Sequence, residues 1–281
     1  MTARTSATGH DARSLATRLR RTAWRHGKAL RQRLHPQPVA LHVFVAGVQR
    51  SGTNLLMDVL DASAETQVFH ETDPRAFDNY EMRDETVIRG LVHASPAPVF
   101  VIKALCELDR IRALMDGFAP ARTLWLVRDW RDSAHSAVRS FGNFVAQWKR
   151  LAQGEASDWR GRGMQAATRE LLAALYRPDA SEAEGAAIMW FYRNVLYFEQ
   201  QLAADPRVRL LFYEDLVQQP EREVAVVYEF LGLRGFSSAI AGRIHARSVK
   251  RRIPRDIAPA VVDLCDELLA RFKAVASGAR I

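Results

Sequence analysis

The stretch Gly47-Val48-Gln49-Arg50-Ser51-Gly52-Thr53-Asn54 constrains this chain more than any other part of it. It follows the apolar run Leu41-His42-Val43-Phe44-Val45-Ala46, which reads as a buried strand, and it opens a helical pattern carried by Leu55, Leu56, Val59 and Leu60. Two glycines let the backbone curl, successive amides turn inward, and the helix N-terminus adds partial positive charge, so the segment is an anion cradle. A nucleoside-triphosphate loop would read GxxxxGK[ST]. Gly47 and Gly52 keep that spacing, but Thr53 stands in the lysine position and the cation, Arg50, lies inside the loop. A guanidinium there can neutralise one phosphate and the bond beside it.

Further apolar runs at Val99–Ile102, Thr123–Val127 and Val208–Phe212 alternate with helical patterns. That alternation predicts an α/β fold, with a mainly parallel central sheet covered by helices in three layers. The 281 residues suffice for one large α/β domain, expected over residues 39–281 after Pro36 and Pro38. Gly154 to Gly163, with Trp159 among small and charged residues, reads as a flexible surface loop or lid. Cys106 and Cys265 are too few for a disulfide framework and lack metal-ligand spacing, so they read as reduced packing residues and no metal is expected.

Residues 1–38 hold nine basic side chains against Asp11 alone and account for the whole formal charge of +8. The rest of the chain is neutral on average, so its high pI is no argument for a nucleic-acid partner. Within the extension Leu15, Leu19, Ala23, Leu30 and Leu34 share one side at 100° per residue. Residues 13–34 therefore read either as a basic amphipathic helix contacting an anionic membrane or a partner, or as a solvated extension. Gly27 and the off-stripe Trp24 weaken the helix reading, and the Arg-rich start also mimics an organelle transit peptide. No apolar run is long enough to span a bilayer or serve as a secretory signal, which makes a cytoplasmic location the expectation.

The string GVQRSGTNLL resembles the 5′-phosphosulfate loop of the sulfotransferases that use 3′-phosphoadenosine 5′-phosphosulfate (PAPS), in the branch carrying RSGT. Leu126-Val127-Arg128-Asp129-Trp130-Arg131-Asp132-Ser133-Ala134-His135-Ser136 is similar to the same family's 3′-phosphate element, with Trp130 in place of the commoner proline. Leu211-Phe212-Tyr213-Glu214-Asp215-Leu216 followed by Phe230-Leu231-Gly232-Leu233 resembles its YEDL strand and FLGL helix, whose role is mainly structural. The resemblance covers roughly residues 42 to 255 and implies a P-loop-like fold with PAPS as co-substrate. It assigns Arg50, Ser51, Gly52, Thr53 and Asn54 to the 5′ side of the donor, and Arg128 and Ser136 to its 3′-phosphate. Arg251 and Arg252, with Arg247 and Lys250, stand where the family often closes on the nucleotide, although their spacing lacks its glycine-bearing motif.

Sulfuryl transfer needs in-line attack by an acceptor oxygen or nitrogen, of a hydroxyl or an amine, a base for its proton, and positive charge at the leaving phosphate oxygen. Val68-Phe69-His70-Glu71-Thr72 reads as a second strand, and the resemblance favours Glu71 as base, as in relatives of the tyrosyl-protein and glycan type. His70 is the alternative, and adjacent strand residues face opposite sides, so only one points inward. Lys103 resembles a strand lysine of the family and can stabilise charge at the transferred group or orient the base. Leu105 occupies the place of the cytosolic branch's catalytic histidine. Phe141, Phe144, Trp148, Trp159, Trp190, Phe191, Tyr192 and Tyr197 are candidates for acceptor cleft or core. The expected acceptor is a glycan or other hydroxylated cell-surface precursor, or a small molecule; a nucleotide-dependent kinase and a non-catalytic scaffold are the alternatives.

Overall fold

A computed structural model describes residues 22–155, 157–242, 244 and 256–278. Five parallel strands form the central sheet: β1 (Leu41–Ala46), β2 (Thr66–Phe69), β5 (Val99–Lys103), β6 (Ala121–Val127) and β7 (Val208–Phe212), in the order β2-β5-β1-β6-β7. The small antiparallel pair β3 (Phe77–Asp78) and β4 (Glu81–Met82) carries no sequence periodicity long enough to announce it. β1 lies between β5 and β6, with Val45 opposite Lys103 on one side and Leu124 on the other. The order reverses at that point, and in open parallel sheets the crevice beyond the strand C-termini there is where ligands bind.

The strands are apolar on both faces because helices cover both. On β1, Phe44 and Ala46 join one core and Val43 and Val45 the other; on β6, Trp125 and Val127 oppose Leu124 and Leu126 in the same way. The first core is closed by α4 (Ile111–Gly117), α5 (Trp130–Val138), α6 (Phe144–Ala152), α8 (Glu182–Glu199) and α12 (Pro259–Ala276). The second is closed by α2 (Thr53–Asp61), α9 (Tyr213–Gln218), α10 (Pro220–Leu231) and α11 (Ser238–Ala241). Trp130, the residue in the proline position, ties two helices of the first layer: its indole N–H donates to Asp266 on α12 at 2.8 Å, and Arg131 grips the same carboxylate at 2.7 and 2.8 Å.

The composition break at residue 38 is not where the described structure begins to pack. Residues 22–34 form a helix, α1, and its only buried residues are Lys28 and Gln32. Lys28 donates to the Asp61 carbonyl at 2.9 Å, the Asp61 carboxylate at 3.1 Å and Thr66 Oγ1 at 3.1 Å. Gln32 donates to the carbonyls of Ala64 and Thr66 at 2.8 and 2.9 Å. The tie is polar, so hydrophobic periodicity cannot reveal it, and it reaches β2 at Thr66.

The part of the Gly154–Gly163 loop around Trp159 and Arg162, in the segment read as a flexible surface loop or lid, is held by polar contacts. Arg162 reaches Glu81 at 3.2 Å, Asp109 at 3.3 Å and the Cys106 carbonyl at 3.1 Å, while buried Arg193 on α8 donates to the Trp159 carbonyl at 2.8 Å.

Candidate active site

All five strands deliver a residue to the same end of the sheet: the Gly47–Asn54 loop after β1, Glu71 after β2, Lys103 at the end of β5, Arg128 after β6 and Tyr213 after β7. The loop is curled by positive φ at Gly47, Arg50 and Gly52, so its amides turn toward the N-terminus of α2, whose Gly52 cap offers no side chain. A Cβ on Gly47 would lie 2.5 Å from the Leu126 carbonyl, and one on Gly52 would lie 2.3 Å from the Tyr213 ring. Tyr213, read from the sequence as structural, is thus the floor of the cradle. Arg50 holds a left-handed backbone that is costly for a residue with a Cβ, and Arg128 stabilises it by donating to the Arg50 carbonyl at 3.1 Å.

The two sequence motifs meet across this cradle. Arg50 Nε donates to Ser136 Oγ at 2.9 Å, although 86 residues separate them. Arg128 is buried, with its guanidinium 4.6 Å from the Tyr213 ring centroid and 3.9 Å from Asp132. Asp129 caps α5 by accepting from the Arg131 amide, and its own amide donates to Glu214 at 3.1 Å. Burial pushes the Glu214 carboxyl above its ordinary range.

Arg50, Gly52, Thr53, Asn54, Glu71, Lys103, Arg128, Ser136 and Tyr213 line one cavity of about 670 Å³, together with His135 and Arg139 of the α5 end. Ser51 is buried in the loop, and its hydroxyl has no hydrogen-bond partner among the described residues. Two close-packed glycines and a helix N-terminus fit an anion of phosphate size, whereas the Ser51 hydroxyl packs beside Gly47 and does not line the cavity. Arg251 and Arg252, with Arg247 and Lys250, lie outside the described residues.

Lys103 is buried and ion-paired with Glu71, and it donates to Asn54 Oδ1 at 2.6 Å. Burial lowers its pKa below the ordinary lysine value, and the Glu71 carboxylate pulls it only part of the way back. This links base candidate, strand lysine and phosphate loop in one chain of contacts. His70 faces a separate groove of about 900 Å³, bordered by Lys28, Asp61, Asp73 and Arg75, which touches the loop only at Asn54. Burial lowers the His70 pKa, so its imidazole is held neutral further into acid than usual. β2 ends at Phe69, short of the strand expected through Thr72, so the turn that follows, and not strand alternation, sends His70 and Glu71 to different cavities.

A second cavity of about 600 Å³ joins the first at Gln49, Glu71, Leu105 and Phe141. Its wall includes Phe144, Trp159, Met189, Trp190 and Cys106, the polar Gln49, Asn79, Tyr80, Ser133 and Gln147, and the charged Glu71, Arg160 and buried Arg193. Of the eight aromatic candidates, Phe141, Phe144, Trp159 and Trp190 line it. Trp148 donates to the Leu172 carbonyl and Tyr197 packs on Trp125 and Phe272, and Phe191 and Tyr192 are likewise buried on α8, so these four belong to the core. Burial pushes the Cys106 thiol up to about 12, which keeps it an unreactive wall residue.

The family model described as the sulfotransferase domain matches residues 41–246. The chain belongs to the sulfotransferase family. Membership replaces the kinase and scaffold alternatives with an enzyme of sulfuryl transfer. Among solved structures, this sulfotransferase is similar to one from Alicyclobacillus acidocaldarius, with a TM-score of 0.51 at 14% identity over 87% of this chain and 97% of that one. It also matches the sulfotransferase domain of the curacin biosynthetic pathway (TM-score 0.48, 14% identity, 83% and 98% covered). Mouse sulfotransferase SULT7A1 complexed with PAP matches at TM-score 0.44 and 14% identity, with 85% and 89% covered. At 14% identity the likeness to the Alicyclobacillus acidocaldarius structure is one of fold. No curated protein matches the sequence. Among the described residues of this sulfotransferase, no helix is long and apolar enough to cross a membrane.

Proposed function

We propose that this sulfotransferase moves the sulfuryl group of PAPS to a hydroxyl of a small, largely apolar acceptor, with Glu71 as the base. The observation that carries the reading is the contact chain Glu71–Lys103–Asn54 at the junction of the two cavities. The cradle holds the 5′-phosphate side of the donor, and Arg128 and Ser136 receive its 3′-phosphate. PAPS supplies a sulfuryl group on a good phosphate leaving group. Glu71 takes the acceptor proton as the acceptor oxygen bonds to sulfur and the bond from sulfur to the bridging phosphate oxygen breaks. Arg50 and Lys103 stabilise the negative charge that moves onto 3′-phosphoadenosine 5′-phosphate.

The acceptor side favours a small molecule over a glycan. Phe141, Phe144, Trp159, Met189 and Trp190 supply a broad apolar wall, and Gln49, Asn79, Ser133 and Gln147 offer polar contacts beside it, which suits a mainly apolar body carrying a small number of polar groups. A ring or short chain bearing one hydroxyl fits that lining, and Glu71 stands where its hydroxyl would arrive.

Calorimetric titration tests the donor, with 3′-phosphoadenosine 5′-phosphate in chelator on one arm and ATP with Mg²⁺ on the other. The first should bind without metal and at least about tenfold more tightly, because Arg128 and Ser136 discriminate through the 3′-phosphate. Tighter ATP binding would refute the donor assignment. For the base, Glu71→Gln should cut turnover about 10²- to 10⁴-fold while leaving 3′-phosphoadenosine 5′-phosphate affinity within about threefold. Retained turnover would move the role elsewhere.

A further inference from the structure

In a helix docked on a soluble protein the apolar face ordinarily turns inward, toward the core. α1 is built the other way round. Its inward side is polar: Lys28 and Gln32 are its only buried residues, and Arg25 beside them pairs with Asp61 at 2.6 Å. Its outward side carries Leu30 and Leu34, one turn apart, which are 60% and 66% exposed. Ala23 lies on that same side, and the exposed Arg31 and Arg33 flank the leucines. The orientation is set by the buried Lys28 contacts, so the leucines cannot turn inward without stripping Asp61 and Thr66 of a partner.

We propose that the outer face of α1 is a docking surface for an anionic phospholipid bilayer. Charge complementarity selects this occupant. Two apolar side chains alone give marginal attachment, and stable interfacial binding needs a second signal, such as a basic cluster. The sequence supplies one: of the nine basic side chains in residues 1–38, Arg25 and Lys28 are taken up by Asp61, which leaves Arg4, Arg13, Arg18, Arg20, Arg21, Arg31 and Arg33 against Asp11 alone. It also extends the same 100° stripe to Leu19 and Leu15, which lie outside the described residues. Leucines inserted between headgroups with Arg31 and Arg33 at phosphate level is the arrangement that basic amphipathic helices adopt in the interfacial plane. The fold thereby offers a rigid, pre-oriented anchor, since the polar side is already consumed by the domain.

The test is flotation of the full chain with vesicles of phosphatidylcholine alone and of phosphatidylcholine with phosphatidylserine, at low and high salt. Binding should require the anionic lipid and weaken with salt. L30S/L34S should lose at least about tenfold in vesicle affinity, and R31E/R33E at least as much. Neither pair touches the donor cavity, so thermal midpoint and 3′-phosphoadenosine 5′-phosphate affinity should stay at wild-type values and report intact folding. Should L30S/L34S fold poorly, R31E/R33E and the wild-type salt and lipid dependence carry the test. Failure of the wild type to float, indifference to lipid charge, or unchanged binding of a folded L30S/L34S would each overturn the proposal. So would a wild-type dimer in light scattering that L30S/L34S converts to monomer, which would make the face an interface between copies.

Discussion

At the scale of single residues, the site depends on contacts that put a cost on charge. Lys103 is buried and its pKa is lowered, and its ammonium is held by Glu71 and Asn54. Activity should therefore fall on the alkaline side at a pH below the ordinary lysine value, as Lys103 loses its proton. Lys103→Arg, which stays charged, should move that limb upward in a kcat/KM profile. Gly52 poses a different constraint. Gly52→Ala would press a methyl into the Tyr213 ring at a left-handed φ, and should cost about 2 to 4 kcal/mol of stability. Denaturant unfolding measures that loss, and a neutral effect would mean that Tyr213 yields easily. The motif residues of the loop were legible because a phosphate cradle is local in sequence. Tyr213 was not, since its role comes from a ring packed against a glycine 161 positions away, a relation that no spacing rule encodes.

At the scale of elements, strands β1, β5, β6 and β7 and the helix after the loop match their sequence patterns, because each carries a clear apolar pattern bounded by breakers. The β3–β4 pair and the docking of α1 do not declare themselves, the former for want of length and the latter because polar side chains make the joint. Asp61 shows what that joint contributes. Burial works against its charge, yet Lys28 and Arg25 hold its pKa below the ordinary carboxylate value. Lys28→Ala leaves Asp61 with the more exposed Arg25 and uncovers Thr66, and should cost about 2 kcal/mol, or roughly 5 °C in thermal midpoint. A double variant, Lys28→Met with Asp61→Asn, should recover part of it, which a double-mutant cycle would read.

At the scale of the whole molecule, stability should respond to acid in a defined order. The His70 and His42 pKa values are lowered, chiefly by burial, so the unfolded chain binds protons before the folded one as pH falls below about 6.5. Stability contributed by their neutral forms is present above that value and drops as pH descends through the window. Asp61, with a lowered pKa, loses its contribution only later, as pH falls through its folded value. The buried carboxyls Glu107, Glu199 and Glu214, with raised pKa values, act in the opposite sense, so the histidine part is read by difference: from pH 7.5 to about 5.5 the wild type should lose unfolding midpoint relative to His70→Gln with His42→Gln.

The parallel three-layer fold and the glycine-curled loop between β1 and α2 are written in the amino-acid order, because periodicity, glycine spacing and helix termini act over a few residues. Tertiary structure alone decided the rest. It placed β5 between β1 and β2, brought Lys103 to both Glu71 and Asn54, and turned His70 into a different groove. It sorted the aromatics into four wall and four core residues, and it faced the leucines of α1 outward. Those outcomes depend on which surfaces meet when the layers close, and on desolvated polar contacts between residues far apart in the chain.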